Sequence, residues 1–469
     1  MSENKIEQLK ESLFYKPKNV YETLGNENMD DCMAFCDEYL KFLDFGKTER
    51  LCTKYAVQKA QEQGFLPFDA TGKPLKPGDK FYYLHRDKAV VLGIMGTAPI
   101  EEGTNIIVAH MDTPRLDLKP NPLYEEDGMA LFKTHYYGGI KKYQWTALPL
   151  ALHGVIAKKD GTVVEVSIGD NPDEPAFCIT DLLPHLAGEQ MQKKMSEGFT
   201  GEDLNILVGS IPYDYRKGDH AVKLHILSIL HEKYGICEED FISAELSAVP
   251  ALPARYIGFD KGLIGAYGHD DRVCGYMAME AIFAAKSPKR TSLCILADKE
   301  EVGSMGITGM QSNFLQNLIA DLGDLYQVPV RRILSASHCL SADVGVAQDP
   351  NFPSVTEKRN ATFLGQGMAF IKYTGSRGKA GSSDASAELI GKLRKLFDEA
   401  GIIWQIGELG KVDVGGGGTV AQYIANLDVE TIDCGVSVLS MHAPYEVVSC
   451  GDVYMTYQGF TTFFEKFHP

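Results

Sequence analysis

No stretch of about 18 uninterrupted apolar residues occurs in the 469-residue chain, which excludes a membrane-spanning helix. Basic residues are scarce as well: 46 Lys and Arg stand against 63 Asp and Glu, for a net charge of -17. Attraction to a phosphate backbone or an anionic lipid surface needs clustered positive charge, so neither nucleic acid nor membrane is expected as a partner. The ten cysteines contain no CxxC pair. Most, such as Cys178, Cys294 and Cys434, sit in apolar segments where a reduced thiol packs as a small hydrophobe. Cys32 and Cys36 have helical spacing and are read as packing residues. The opening MSENKIEQLKESLF has no apolar run of signal-peptide type. A soluble protein of the cytoplasm is the expectation.

What is present suits a large core. With 44% hydrophobic residues, a chain of this length buries roughly 75% of its unfolded surface and divides into about two or three domains. From Lys5 to about Gly64 the apolar positions recur at three and four residues, which predicts helices. Strands are expected over residues 80–84, 89–96 and 104–109, the last delivering His110 and Asp112. Past Pro114 the character changes. HYYGGIKKYQW precedes a hairpin, GVIAKKDGTVVEVSI, turning at Asp160-Gly161. From about Tyr267 helical and strand patterns alternate to the end of the chain. That alternation predicts an α/β fold, a helix-flanked and mostly parallel sheet. The expected organisation is one discontinuous α/β domain from residues 1–115 and 253–469, with a β-rich domain, 116–252, inserted into it.

Five short clusters of His, Asp and Glu carry the chemistry. The tightest is Glu300-Glu301, which closes the apolar run SLCILADKEE, read as a buried strand. His110, Glu300-Glu301, Asp343 and His442 each fall at or just beyond the carboxyl end of a predicted strand, the edge where open α/β sheets bind ligands. Asp270, in GHDDRVCGY, precedes a helical run and reaches the same rim. Read singly, Asp270 is a helix cap, His442 a core histidine, Asp343 a turn residue and Asp112 a strand-end cap. Read together on one edge, they form a metal site. Carboxylates converging at about 4 Å repel by roughly 4 kcal/mol per pair at an effective dielectric of 20, so a cation must be present. Mixed imidazole and carboxylate donors suit zinc, with manganese or cobalt as alternatives. The run Gly415 to Gly418 is not followed by Gly-Lys-Ser/Thr and is no phosphate loop. It is either a tight strand-to-helix turn or a place where backbone amides, those of Gly417 and Gly418 included, approach substrate.

VAHMDTPRLDLKP, GHDDRVC, ADKEEVGS, SADVGVAQDPN, GGGGT and SVLSMHAPYE, in this order, resemble the metallo-aminopeptidase family that contains aspartyl aminopeptidase and vacuolar aminopeptidase I. The resemblance spans nearly the whole chain. It implies a two-zinc exopeptidase with a proteolytic α/β domain and an inserted dimerisation domain, assembled from dimers into a dodecamer and acting on peptides. Carried over by residue, it implies that His110 and Asp343 hold one metal and Glu301 and His442 the other, with Asp270, favoured over Asp271, bridging both. It further implies that Asp112 accepts the ring proton of His110 and that Glu300 is the general base. His185 matches a histidine that reaches a neighbouring subunit's active site, and Lys372 a lysine near the first side chain of the substrate, with Arg377 and Lys379 adding positive charge. Val346 and Asp349 stand where the family commonly has histidines, so the family's preference for acidic first residues is not carried over. Two other readings compete: a related two-metal hydrolase of another amide, and a noncatalytic assembly scaffold.

Overall fold

Strand Thr104–His110 is buried at every position, and its side chains divide between two cores. Ile106 and Val108 enter one apolar cluster, while Ile107 and Ala109 enter the other. Strand Thr291–Ala297 behaves alike, with Leu293 and Ile295 on one side and Cys294 and Leu296 on the other. A strand covered on both faces must be apolar at consecutive positions, which is why these segments read as unbroken hydrophobic runs. In this computed structural model, which describes residues 3–216 and 218–469, those strands form the middle of a nine-stranded sheet. Its order is Leu66–Pro67, Lys80–His85, Ala89–Ile94, Thr291–Ala297, Thr104–His110, His338–Ser341, Glu430–Gly435, Met368–Ile371, Trp404–Gly407.

The four strands from Thr291–Ala297 to Glu430–Gly435 run parallel, so their carboxyl ends open on one edge. Antiparallel neighbours, Ala89–Ile94 and Met368–Ile371, border them. Helices Val20–Phe45, His269–Ala284 and Cys450–Lys466 cover one face, with Phe42, Tyr276 and Phe463 in its core. Helix Phe314–Tyr326 covers the other through Phe314, Leu318 and Leu322. The arrangement is the helix-flanked α/β fold expected, with mixed rather than uniformly parallel margins.

Beside that edge lies a five-stranded sheet, ordered Arg255–Ile257, Leu263–Ala266, Glu446–Ser449, Ser437–Leu439, Gly345–Val346. Between Pro114 and Ala251 the chain builds a six-stranded antiparallel sheet with its own core, which includes Phe132, Trp145, Leu246 and Val222 of helix Ala221–Tyr234. Trp145 is fully buried and sets its ring edge-on to Tyr267, centroids 6.4 Å apart; the Tyr267 hydroxyl donates to the Pro114 carbonyl at 3.0 Å. Among the described residues no helix is long and apolar enough to cross a membrane.

Truncating Ile295, which has no solvent exposure in the middle of the large sheet, removes packed methylenes from a rigid interior. Ile295→Ala is expected to cost about 2–5 kcal/mol, and Ile6→Ala, on the exposed first helix, less than about 0.5 kcal/mol. Urea unfolding midpoints of the two variants check this ordering.

Candidate metal centre

Parallel pairing sets the strand ends level. Ala297 lies opposite His110, so the turn Glu300–Val302 that follows comes out beside the imidazole. Asp343 follows strand His338–Ser341, Asp270 opens helix His269–Ala284, and His442 lies in the connection between Ser437–Leu439 and Glu446–Ser449. Residues separated by up to 332 positions in sequence thereby converge. Asp270 is central: its Oδ1 lies 3.3 Å from His110 Nε2 and its Oδ2 lies 3.1 Å from His442 Nε2. His110 Nε2 is also 4.0 Å from Asp343 Oδ1, and His442 Nε2 is 3.6 Å from Glu301 Oε1. Three triads result, His110 with Asp270 and Asp343, Asp270 with Glu301 and His442, and His110 with Glu300 and Glu301, each having its donor atoms within 4.8 Å of one another. Asp271 is turned into the interior, where burial and the Asp343 carboxylate push its carboxyl well up.

The groups around these side chains fix their orientation. His442 Nδ1 donates to the Gly139 carbonyl at 2.8 Å, which leaves Nε2 facing the carboxylates. His110 Nδ1 does the same toward the backbone carbonyl of Asp112, at 2.8 Å; the Asp112 carboxylate is farther, at 3.4 Å. That carboxylate is engaged elsewhere. It accepts the amides of Glu300 and Glu301 at 3.1 and 3.2 Å and the Tyr137 hydroxyl at 2.7 Å. Arg115 stacks on the Tyr137 ring, 4.2 Å from its centroid, and is itself held by Glu49 and Asp117 at 2.8 Å. Tyr137, Gly139 and Glu446 are site components that spacing alone did not single out. The first two lie in HYYGG, legible only as a change of composition, and Glu446 ends the motif SVLSMHAPYE without a distinguishing local pattern.

The electrostatics call for a cation. Burial pushes the Glu301 and Asp343 carboxyls well up, and neighbouring carboxylates add to the effect. Burial pushes Glu300 up to about 7. Burial opposes the charged form of both imidazoles, yet the Asp112 and Asp270 carboxylates raise His110 and the Asp270 and Glu301 carboxylates bring His442 up to about 10. Asp270 is the exception: burial opposes its ionisation, but His110 and His442 hold it well below the usual carboxylate range. Glu301 Oε1 is buried without a hydrogen-bond partner. Acids that retain protons, bases that gain them and an orphaned buried oxygen are what a divalent ion relieves, and the imidazole and carboxylate donors fit zinc.

The centre opens on a cavity of about 590 Å³ whose walls include Leu409, Gln422, Tyr423, Met441 and the strand Gly416–Gly417. At Gly416 an added Cβ would meet the Gly375 carbonyl at 2.2 Å, and at Gly418 the Gln422 amide at 2.6 Å. At Gly417 it would meet only Leu409, at 3.9 Å, so that glycine leaves open room toward the cavity rather than relieving an internal clash. His185 and Lys372 are not brought into this lining. His185 sits in an exposed loop with Leu182, Leu183 and Leu186 also exposed. Lys372 lies 3.4 Å from Asp384, which also holds Lys379 at 2.7 Å. Arg377 lies in the loop past Gly375–Ser376.

Because the free acids and imidazoles bind protons that a cation must displace, lowering the pH raises the protonated fraction and weakens binding. Zinc affinity is expected to fall about tenfold per pH unit for each proton displaced. Calorimetric titration of the apoprotein with zinc in buffers of different ionisation enthalpy checks both the release of protons and its sign.

Comparison with known proteins agrees with this chemistry. The family description aminopeptidase I zinc metalloprotease (M18) matches residues 42–464. A probable M18 family aminopeptidase 1 of Clostridium acetobutylicum is 48% identical over 453 residues, which cover 95% of this chain and 97% of that one. The crystal structure of an M18 family aminopeptidase from Thermotoga maritima superimposes with a TM-score of 0.92 at 42% identity, covering 97% of this chain and 100% of that one. The mApe1 dodecamer of S. cerevisiae shares the fold, with a TM-score of 0.75 at 22% identity over 92% of this chain and 96% of that one. With relatives this similar over nearly its full length, the chain belongs to the M18 family and is a zinc metallo-aminopeptidase.

Proposed function

We propose that the protein removes the N-terminal residue of peptides at a centre of two divalent cations, zinc in the first place and manganese or cobalt as substitutes, with Asp270 shared between them. One observation carries this reading: the two oxygens of a single buried carboxylate face two imidazoles from different parts of the chain. His110 and Asp343 complete one ligand set, and Glu301 and His442 the other. When bound, the cations supply a lowered pKa for water and polarisation of the scissile carbonyl.

The protein's own groups do the rest. The Glu300 carboxylate removes a proton from the attacking water and returns it to the nitrogen of the departing peptide. Burial pushes the Glu300 carboxyl above the usual carboxylate range in the cation-free protein, a direction that favours a group able both to take and to give a proton. Asp112 fixes the base from behind, since one of its oxygens accepts the Glu300 amide. The substrate's first residue enters the cavity beside Gly417 and Gly418, whose backbone lies open to it.

Residues 116–252 act as an inserted dimerisation domain within the catalytic domain of residues 1–115 and 253–469. Dimers assemble further into a dodecamer, the state in which S. cerevisiae mApe1 is described. The exposed Leu182, Leu183 and Leu186 support this, because such a patch is suited to burial against another subunit. His185 among them then enters a neighbouring subunit's site, while Lys372 approaches the first side chain of the substrate. Ten unpaired cysteines support a reducing compartment, the cytoplasm.

Glu300→Gln keeps the shape and removes the base. Turnover of aminoacyl chromogenic substrates is expected to fall by about 10²–10⁴-fold with zinc content unchanged by elemental analysis. A variant turning over near the parent rate excludes Glu300 as the base.

A further inference from the structure

Glu446 has no contact with the cavity and no solvent exposure, yet both of its carboxylate oxygens are committed to the metal centre. Oε2 accepts the backbone amide of Asp270 at 2.9 Å, and Oε1 accepts the backbone amide of His442 at 2.7 Å. The first contact spans 176 positions of sequence and the second only four. Glu446 is paired across the small sheet with Ala266, so its side chain starts from a strand position opposite the segment that leads, four residues on, to Asp270. The His442 backbone is left-handed, with φ at 63°. A residue with a side chain occupies that region at a cost of roughly 1–3 kcal/mol and persists there only where its surroundings hold it. Glu446 is such a hold: it fixes the His442 amide while Gly139 fixes the ring from the other side.

From this geometry we infer that Glu446 is a positioning residue that sets the spacing of Asp270 and His442, and so determines the affinity of one cation position in particular. The inference rests on the two-cation reading. Only one triad, Asp270, Glu301 and His442, contains both residues whose amides Glu446 ties together; that of His110, Asp270 and Asp343 shares Asp270 alone, and that of His110, Glu300 and Glu301 shares neither. His110 and Asp343 are held by neither oxygen. The same division of labour is seen at Asp112, which grips the Glu300 and Glu301 amides. Groups that orient ligands in this way change metal affinity by about 10–100-fold when removed.

The experiment titrates apoprotein with zinc in competition with a chromophoric chelator, for the parent, Glu446→Gln and Val222→Ala. Glutamine preserves shape but turns an amide group toward one of the two N–H donors. Val222→Ala perturbs the core of the six-stranded sheet at a residue that belongs to none of the triads. The parent is expected to bind two equivalents. Glu446→Gln should retain one at parent affinity and bind the second about 10–100-fold more weakly, with kcat recovering in excess zinc and KM unchanged. Val222→Ala should leave both equivalents as in the parent. Should Glu446→Gln fail to fold, Glu446→Asp, which keeps the carboxyl but withdraws it by one methylene, carries the same test. Two equivalents at parent affinity, or a loss spread equally over both, overturns the role of Glu446. A parent that binds only one equivalent instead overturns the two-cation reading on which the role depends.

Discussion

The architecture depends on one carboxylate. Asp270 presents an oxygen to each of two imidazoles, at 3.3 and 3.1 Å, from a position that is almost fully buried. An isolated buried carboxylate is costly, and crowding it with Glu300, Glu301 and Asp343 compounds the cost. Such a cluster is maintained only if its side chains are held in fixed places by elements that cannot relax. The parallel strands provide the first such hold, because Ala297 lies opposite His110 and Ser341 opposite Val108, so that Asp343, two residues beyond Ser341, comes out at the same edge.

Two further buried carboxylates supply a second such hold from beneath. Asp112 receives the amides of Glu300 and Glu301, and Glu446 receives those of Asp270 and His442. Backbone amides rather than side chains are gripped, so the side-chain oxygens and nitrogens of these residues are not occupied by the support. The six-stranded sheet takes part in this support as well. Its Tyr137 hydroxyl binds Asp112, and the Gly139 carbonyl that follows orients His442. The segment between Pro114 and Ala251 thus ties itself to both halves of the centre.

Much of this was legible in the sequence, for a physical reason. Strands buried on both faces are apolar at consecutive positions, and a charged residue directly after such a run must lie at the sheet's edge; His110, Glu300-Glu301 and Asp343 could be located that way. The large sheet followed from the helix–strand alternation, but its antiparallel margins did not, since strand direction depends on connections that periodicity does not record. Sequence places Asp112 at the His110 ring but not which of its oxygens takes part: the backbone carbonyl lies 2.8 Å from Nδ1 and the carboxylate 3.4 Å, while that carboxylate also receives the Glu300 amide. Glu446 and Tyr137 were not recognised, because each acts through contacts between remote segments: 176 positions separate Glu446 from Asp270, and 25 separate Tyr137 from Asp112. His185 and Lys372 rest on resemblance alone, and neither converges on the cavity of its own chain.

The central claim is that Asp270 is shared by two cations, and anomalous scattering at the zinc edge from crystals of the zinc-loaded protein addresses it without recourse to activity. The account requires two peaks, one on each side of the Asp270 carboxylate, the first beside His110 and Asp343 and the second beside Glu301 and His442. A single peak at full occupancy, or two peaks with Asp270 contacting only one, contradicts it.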